Sequence, residues 1–124
     1  MTAPPAWVHT QERGDHLWVL ELGGELDMDT AGQLRVSLLA VPAVHLVVDL
    51  SAVRFCGAAG VTLLLELRDH VETTGHQLQL MVPPRRARSL RFLLDEHLLA
   101  SHRPTVGEAI TALPVPGSRR RHSY

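Results

Sequence analysis

An α/β fold on a mixed, mostly parallel sheet of about five strands, with about four helices, is predicted by three observations. The alternating stretch "HLWVLELGGEL" (16–26) follows "AWVHT" (6–10) closely enough to form a hairpin. Two later runs, "AVHLVVDL" (43–50) and "QLQLMV" (77–82), are nearly continuous in apolar residues, which is the pattern of strands covered on both faces. Helical spacing fills the intervals between strands at roughly 10–15 residues, as the crossovers of a parallel sheet require.

The elements follow in order. "RGD" (13–15) is a turn between the two opening strands. In the second strand Leu17, Val19 and Glu21 point one way, and Trp18, Leu20 and Leu22 the other. Gly23-Gly24 ends or bulges that strand. "DMDTAGQLRVSLLA" (27–40) has Leu34, Leu38 and Val41 at helical spacing, with Asp27, Asp29 and Thr30 as cap candidates and Pro42 as the stop. After the 43–50 strand, a helix over 58–73 carries Val61, Leu64, Leu65 and Leu67, with Gly75 at its C-terminal cap. A third helix is expected over 86–97, with Leu90, Leu93 and Leu94 inward. "LLASHRPT" offers a weak last strand, and "VGEAITAL" (106–113) a fourth helix. Residues 1–113 read as one domain, and "PVPGSRRRHSY" (114–124) as a mobile tail.

Composition narrows the function classes. The chain has 124 residues, 45% of them hydrophobic and 20% charged, which suits one globular domain. The formal net charge of −1 favours neither nucleic acid nor an acidic membrane. All 12 basic residues are arginine. Cys56 is the only cysteine, so an intramolecular disulfide and a Cys-based metal cage are excluded. "MTAPPAWVHT" has no basic n-region and no apolar h-region, and no run approaches the ~20 residues of a membrane span. A cytoplasmic protein is the expectation.

The segment "VDLSAVRFCGAAGVTLLLEL" (48–67) runs from strand through turn into helix. It resembles the hallmark of STAS domains, in particular the bacterial anti-sigma factor antagonists, which read like V-D-L-S-x-V-x-F-x-D-S-S-G-L. Val48, Asp49, Leu50, Ser51, Val53, Phe55 and Gly60 match. "GGELDMDTAGQL" (23–34) looks like the family's second marker, a G-E-L-D loop leading into the first helix. The resemblance covers about 6–113 and implies a STAS-like fold and a partner-switching role without catalysis or a cofactor. Such antagonists bind an anti-sigma factor, usually a GHKL-type serine kinase, and so release a sigma factor. The kinase phosphorylates a serine of the D-S-S-G turn and ends the complex. Here the family Asp aligns with Gly57, the accepting serine with Ala58 and the next serine with Ala59. No hydroxyl is left in the turn, so the usual off-switch cannot operate there. The implied partner surface is Asp27, Asp29 and Thr30, the turn Cys56, Gly57, Ala58, Ala59 and Gly60, and the exposed helix face with Thr62. Ser51, Thr62 and Ser89 are the candidate substitute acceptors. Two rival readings stand beside this one. One is a scaffold or subunit packing against other STAS proteins. The other is a nucleotide-binding module at the 57–60 helix start, although the Walker Lys and Ser/Thr are absent.

The remaining candidates have plainer explanations. Cys56 sits where a nucleophile elbow places its serine, but "FCGAAG" is not G-x-S-x-G, and strand alternation makes it a small buried residue. Asp27 and Asp29 serve equally as helix caps. Eight histidines form no H-E-x-x-H pair and read as scattered surface residues, His70, His76, His97 and His102 among them. Arg85, Arg86 and Arg88 crowd a helix start, where the dipole disfavours cations. "RRRH" (119–122) suits only weak, non-specific nucleic-acid contact.

Overall fold

β1 (Ala6–Glu12) and β2 (Leu17–Leu26) pair antiparallel, with Trp7 opposite Gly23 and Glu12 opposite Trp18. This is the expected hairpin, seen in a computed structural model that describes residues 6–42, 44–87, 90 and 102–114. β3 (His45–Cys56) lies parallel to β2, β4 (Leu78–Met81) parallel to β3, and β5 (His102–Arg103) parallel to β4. The sheet order is β1-β2-β3-β4-β5. The described helices are α1 (Met28–Leu39), α2 (Ala58–Glu72), the single turn α3 (Pro84–Ala87) and α4 (Val106–Thr111). Apart from α3 and Leu90, the 86–97 helix lies outside the described residues, as does the 115–124 segment.

The alternation in β2 sorts its side chains into two cores. Leu20 and Leu22 join Val48, Leu50 and Leu80 under α1 and α2. Val19 joins Val47 and Met81 under Ala109 and Leu113, from α4 and the residues that follow it. The continuous apolar run of β3 is thereby explained, because both faces of that strand are covered. α2 buries Val61, Leu63, Leu64, Leu67 and Val71. Each is worth roughly 1.5–3 kcal/mol relative to exposure. Leu65 is only half-buried, and Leu63 lies in the core. The helix ends at Glu72 with Thr73 as its C-cap, and Gly75, expected as the cap, follows two residues later with φ +84°.

Two further expectations are corrected. The strand read as 43–50 continues to Cys56, so Cys56 closes a strand rather than opening a turn. The glycine pair neither ends nor bulges β2; the bulges lie opposite it, in β3. Glu21 faces Asp49 and Gly23 faces Ala52, then Gly24 faces Val53 and Glu25 faces Phe55, so β3 gains an extra residue at each step. Gly24 has φ +89°, and the Trp7 indole lies where any Cβ on Gly23 would be. The doubled bulge breaks the period-2 alternation, leaving consecutive Arg54 and Phe55 exposed before buried Cys56.

Candidate functional site

Leu26 and Cys56 are register partners on parallel strands, so α1 and α2 begin side by side at one edge of the sheet. Asp27 caps α1: its Oδ1 accepts the Thr30 backbone N–H at 3.0 Å, and Thr30 Oγ1 accepts the Asp27 N–H at 2.9 Å. The Thr30 hydroxyl donates back to the Glu25 carbonyl. Thr30 is therefore buried and bonded internally, and it shapes the surface instead of presenting it. The Thr30 backbone hydrogen bond holds the Asp27 carboxyl below its ordinary value. Asp29 stays exposed in the first turn.

α2 begins without any such chemistry. Gly57 is its N-cap in extended conformation, and no side chain caps the helix. The Gly57 N–H donates to the Leu26 carbonyl at 3.1 Å, stitching the second strand-to-helix connection to the first. A Cβ on Gly60 would stand 2.7 Å from Cys56 Sγ, 2.8 Å from Leu26 Cβ and 3.0 Å from the Leu26 carbonyl oxygen. Only glycine lets the helix approach the strand ends this closely. Ala59 packs against the core from a half-buried position, while Ala58 and Thr62 are exposed. Cys56 is buried, and burial pushes its thiol up to about 11. It is protonated at neutral pH and is no activated nucleophile.

Between α1 and α2 an open groove of about 400 Å³ runs over Ala31, Gly32 and Ala59, flanked by Met28 and Thr62. Arg35 Nε donates to Glu66 Oε1 at 2.9 Å and Nη2 to Oε2 at 3.3 Å, closing its far end. Two large apolar side chains flank the paired helix starts: Met28 is 80% exposed and Phe55 50%. Sequence reasoning missed both. Met28 carried a signal, being an apolar residue in the first turn between two aspartates. Phe55 entered only as a match to the hallmark segment, and its exposure beside the β3 bulges was not expected.

The structure gathers Asp27, Asp29, Gly57, Ala58, Ala59 and Thr62 at one edge, with Thr30, Cys56 and Gly60 buried beneath. The other candidates lie elsewhere. Asp49 Oδ1 accepts the Ser51 N–H at 2.9 Å, and Arg86 Nε donates to the Ser51 carbonyl at 3.0 Å, so both brace β3. Arg88, Ser89 and His97 fall outside the described residues. His45 is no surface histidine: it is 4% exposed, and its Nδ1 accepts the Gln77 N–H at 3.0 Å between β3 and β4. Among the described residues no three His, Cys, Asp or Glu side chains gather to hold a metal, and no helix is long and apolar enough to cross a membrane.

A family model described as "Mlab, STAS domain" matches residues 9–102. The chain belongs to the STAS domain family. It is 39% identical over 67 residues to the anti-sigma-F factor antagonist RsfB of Mycobacterium tuberculosis, covering 52% of this chain and 55% of RsfB. The chain thus spans about half the length of the curated relatives it matches. Among solved structures, an anti-sigma factor antagonist from Mycobacterium paratuberculosis superposes with TM-score 0.65 at 29% identity, covering 91% of this chain and 98% of the other. SpoIIAA in its unphosphorylated form superposes with TM-score 0.68 at 21% identity, over 84% and 93%, and shows the shared fold.

Proposed function

We propose that the chain is an anti-sigma factor antagonist that binds a kinase-type (GHKL) anti-sigma factor and so releases a sigma factor, with no phosphoacceptor in its 56–60 turn. It is not an enzyme and uses no cofactor. The observation that carries this reading is the turn itself. Gly57, Ala59 and Gly60 keep the close approach of α2 to the strand ends, and exposed Ala58 stands at the helix start where the family's serine aligns. The relatives named as antagonists support the role. Asp29, Met28, Ala58, Thr62 and Phe55 form the contact surface, and the groove between α1 and α2 extends it.

The test is reconstitution with a sigma–anti-sigma complex. In a non-hydrolysable ATP analogue the chain is expected to displace the sigma factor. With ATP, peptide mapping is expected to find no phosphate within 56–60. The double change Gly57→Asp with Ala58→Ser is expected to gain phosphate at position 58 and then lose the complex. A second reading, a static scaffold among STAS proteins, draws on the same missing hydroxyl, since a permanent contact needs no off-switch. Binding without sigma release would favour it.

A further inference from the structure

We propose that Thr62 accepts a phosphoryl group and that Arg35 captures it, placing the off-switch one helical turn beyond Ala58. The inference rests on the antagonist reading and names the regulation of the same surface. The first observation is the state of the hydroxyl. The other threonines in or capping the described helices use their hydroxyls locally. Thr30 donates to Glu25, Thr73 to His70, Thr74 to Val71 and Thr111 to Gly107, while Thr105 Oγ1 caps Glu108. Thr62 is exposed and its hydroxyl makes no such bond. A mid-helix threonine that does not bond back to its own helix presents its oxygen outward, as an acceptor of phosphate must.

The second observation is position. Residues 58 and 62 are four apart on α2, hence on one face, separated by about 6 Å along the axis. The third is the groove. Thr62 shares it with Arg35, and a Cβ on Gly32 would meet nothing within 4 Å, so there is room for a phosphate. Arg35 already presents two N–H donors to the Glu66 carboxylate. A dianionic phosphate takes that planar fork more strongly than a carboxylate does, and it repels Glu66, which lies four residues away on the same helix. Modification therefore exchanges one ion pair for another. It also lays charge across the small-residue floor of the groove.

The step balances simply. Thr62 Oγ1 attacks the γ-phosphorus of ATP bound to the partner kinase. An O–P bond forms, the bond from that phosphorus to the β–γ bridging oxygen breaks, ADP leaves with the electron pair, and the hydroxyl proton passes to a base on the kinase.

A panel of purified GHKL-type anti-sigma factors tests it, with complex formation read in the non-hydrolysable analogue and transfer read in ATP by intact mass and peptide mapping. The expected result is one phosphoryl group on the peptide containing Thr62, absent in Thr62→Val. Thr62→Glu is expected to weaken the complex by about 30-fold or more while the protein stays folded. In Arg35→Gln, phosphate on Thr62 is expected to weaken the complex less than it does in the wild type. A complex that forms without phosphate on Thr62, or with phosphate only on exposed Ser37 of α1, overturns this inference and leaves the antagonist reading standing. So does full-strength binding by Thr62→Glu. No complex with any member of the panel overturns both.

Discussion

α1 and α2 start from adjacent parallel strands whose last residues, Leu26 and Cys56, pair with each other, yet the two starts are built by opposite means. At α1 a carboxylate and a hydroxyl satisfy the free backbone groups reciprocally, and the threonine is sealed inside. At α2 no side chain caps the helix, and small residues bring it against the strand ends. A capped start consumes its donors. An uncapped one leaves N–H groups and a smooth surface for another molecule. Side-chain chemistry at this edge thus serves the fold at the start of α1, whereas α2 starts without it.

The largest effect is expected from Ala58→Glu. A carboxylate at the exposed start of α2 is compatible with the helix dipole, so an unchanged or slightly raised melting temperature is expected. At an interface the unpaired charge costs on the order of 2–5 kcal/mol, so titration calorimetry against the proposed anti-sigma partner is expected to show binding weakened about 30-fold or more. Full-strength binding would move the interface away from α2.

Gly60→Ala probes packing at the same start. Its methyl meets a backbone carbonyl and a strand Cβ at 3.0 Å or less, neither of them a flexible side-chain end. Destabilisation of about 1–3 kcal/mol is expected in urea titration. A neutral result would mean that the helix can slide, and that the close approach is not what selects glycine.

Asp27→Ala tests the other start. Losing the reciprocal cap is expected to lower the melting temperature by a few degrees. The folded carboxyl sits below its ordinary 3.8, so its contribution is present above that value and fades as pH falls through the lower folded value. The gap between wild type and Asp27→Ala should therefore shrink on acidification below about pH 4. A gap that persists unchanged there would assign the loss to packing.

The smallest effect is expected from Gly57→Asp, which gives α2 the kind of cap α1 already has. Glycine is only a few tenths of a kcal/mol worse than aspartate at an N-cap. The new Cβ also meets the Phe55 ring at 3.2 Å, and that half-exposed ring has room to move. A small rise in melting temperature would show that the missing cap distinguishes the two helix starts, and a marked fall would show that Phe55 is held.

Element order, the hairpin, the two-sided burial of β3 and the capping of α1 were legible in the sequence, because each depends on residues near one another in the chain. The alternation of Leu17 to Leu22 allots side chains to two cores, and Asp27 with Thr30 closes a cap over three residues. The absence of a hydroxyl at Ala58 was equally plain. Tertiary structure alone decided the rest. The bulges in β3 lie opposite Gly23 and Gly24 of β2, where Gly24 takes a left-handed φ and Trp7 occupies the space above Gly23. They expose Phe55, which no period could have announced. His45 is buried because it bonds to Gln77, 32 residues away, and Gly60 is required because Leu26 stands against it from another strand. Periodicity and capping are local and can be read along the chain. Close approach between strands and helices depends on where distant backbone comes to lie, and only the folded molecule determines that.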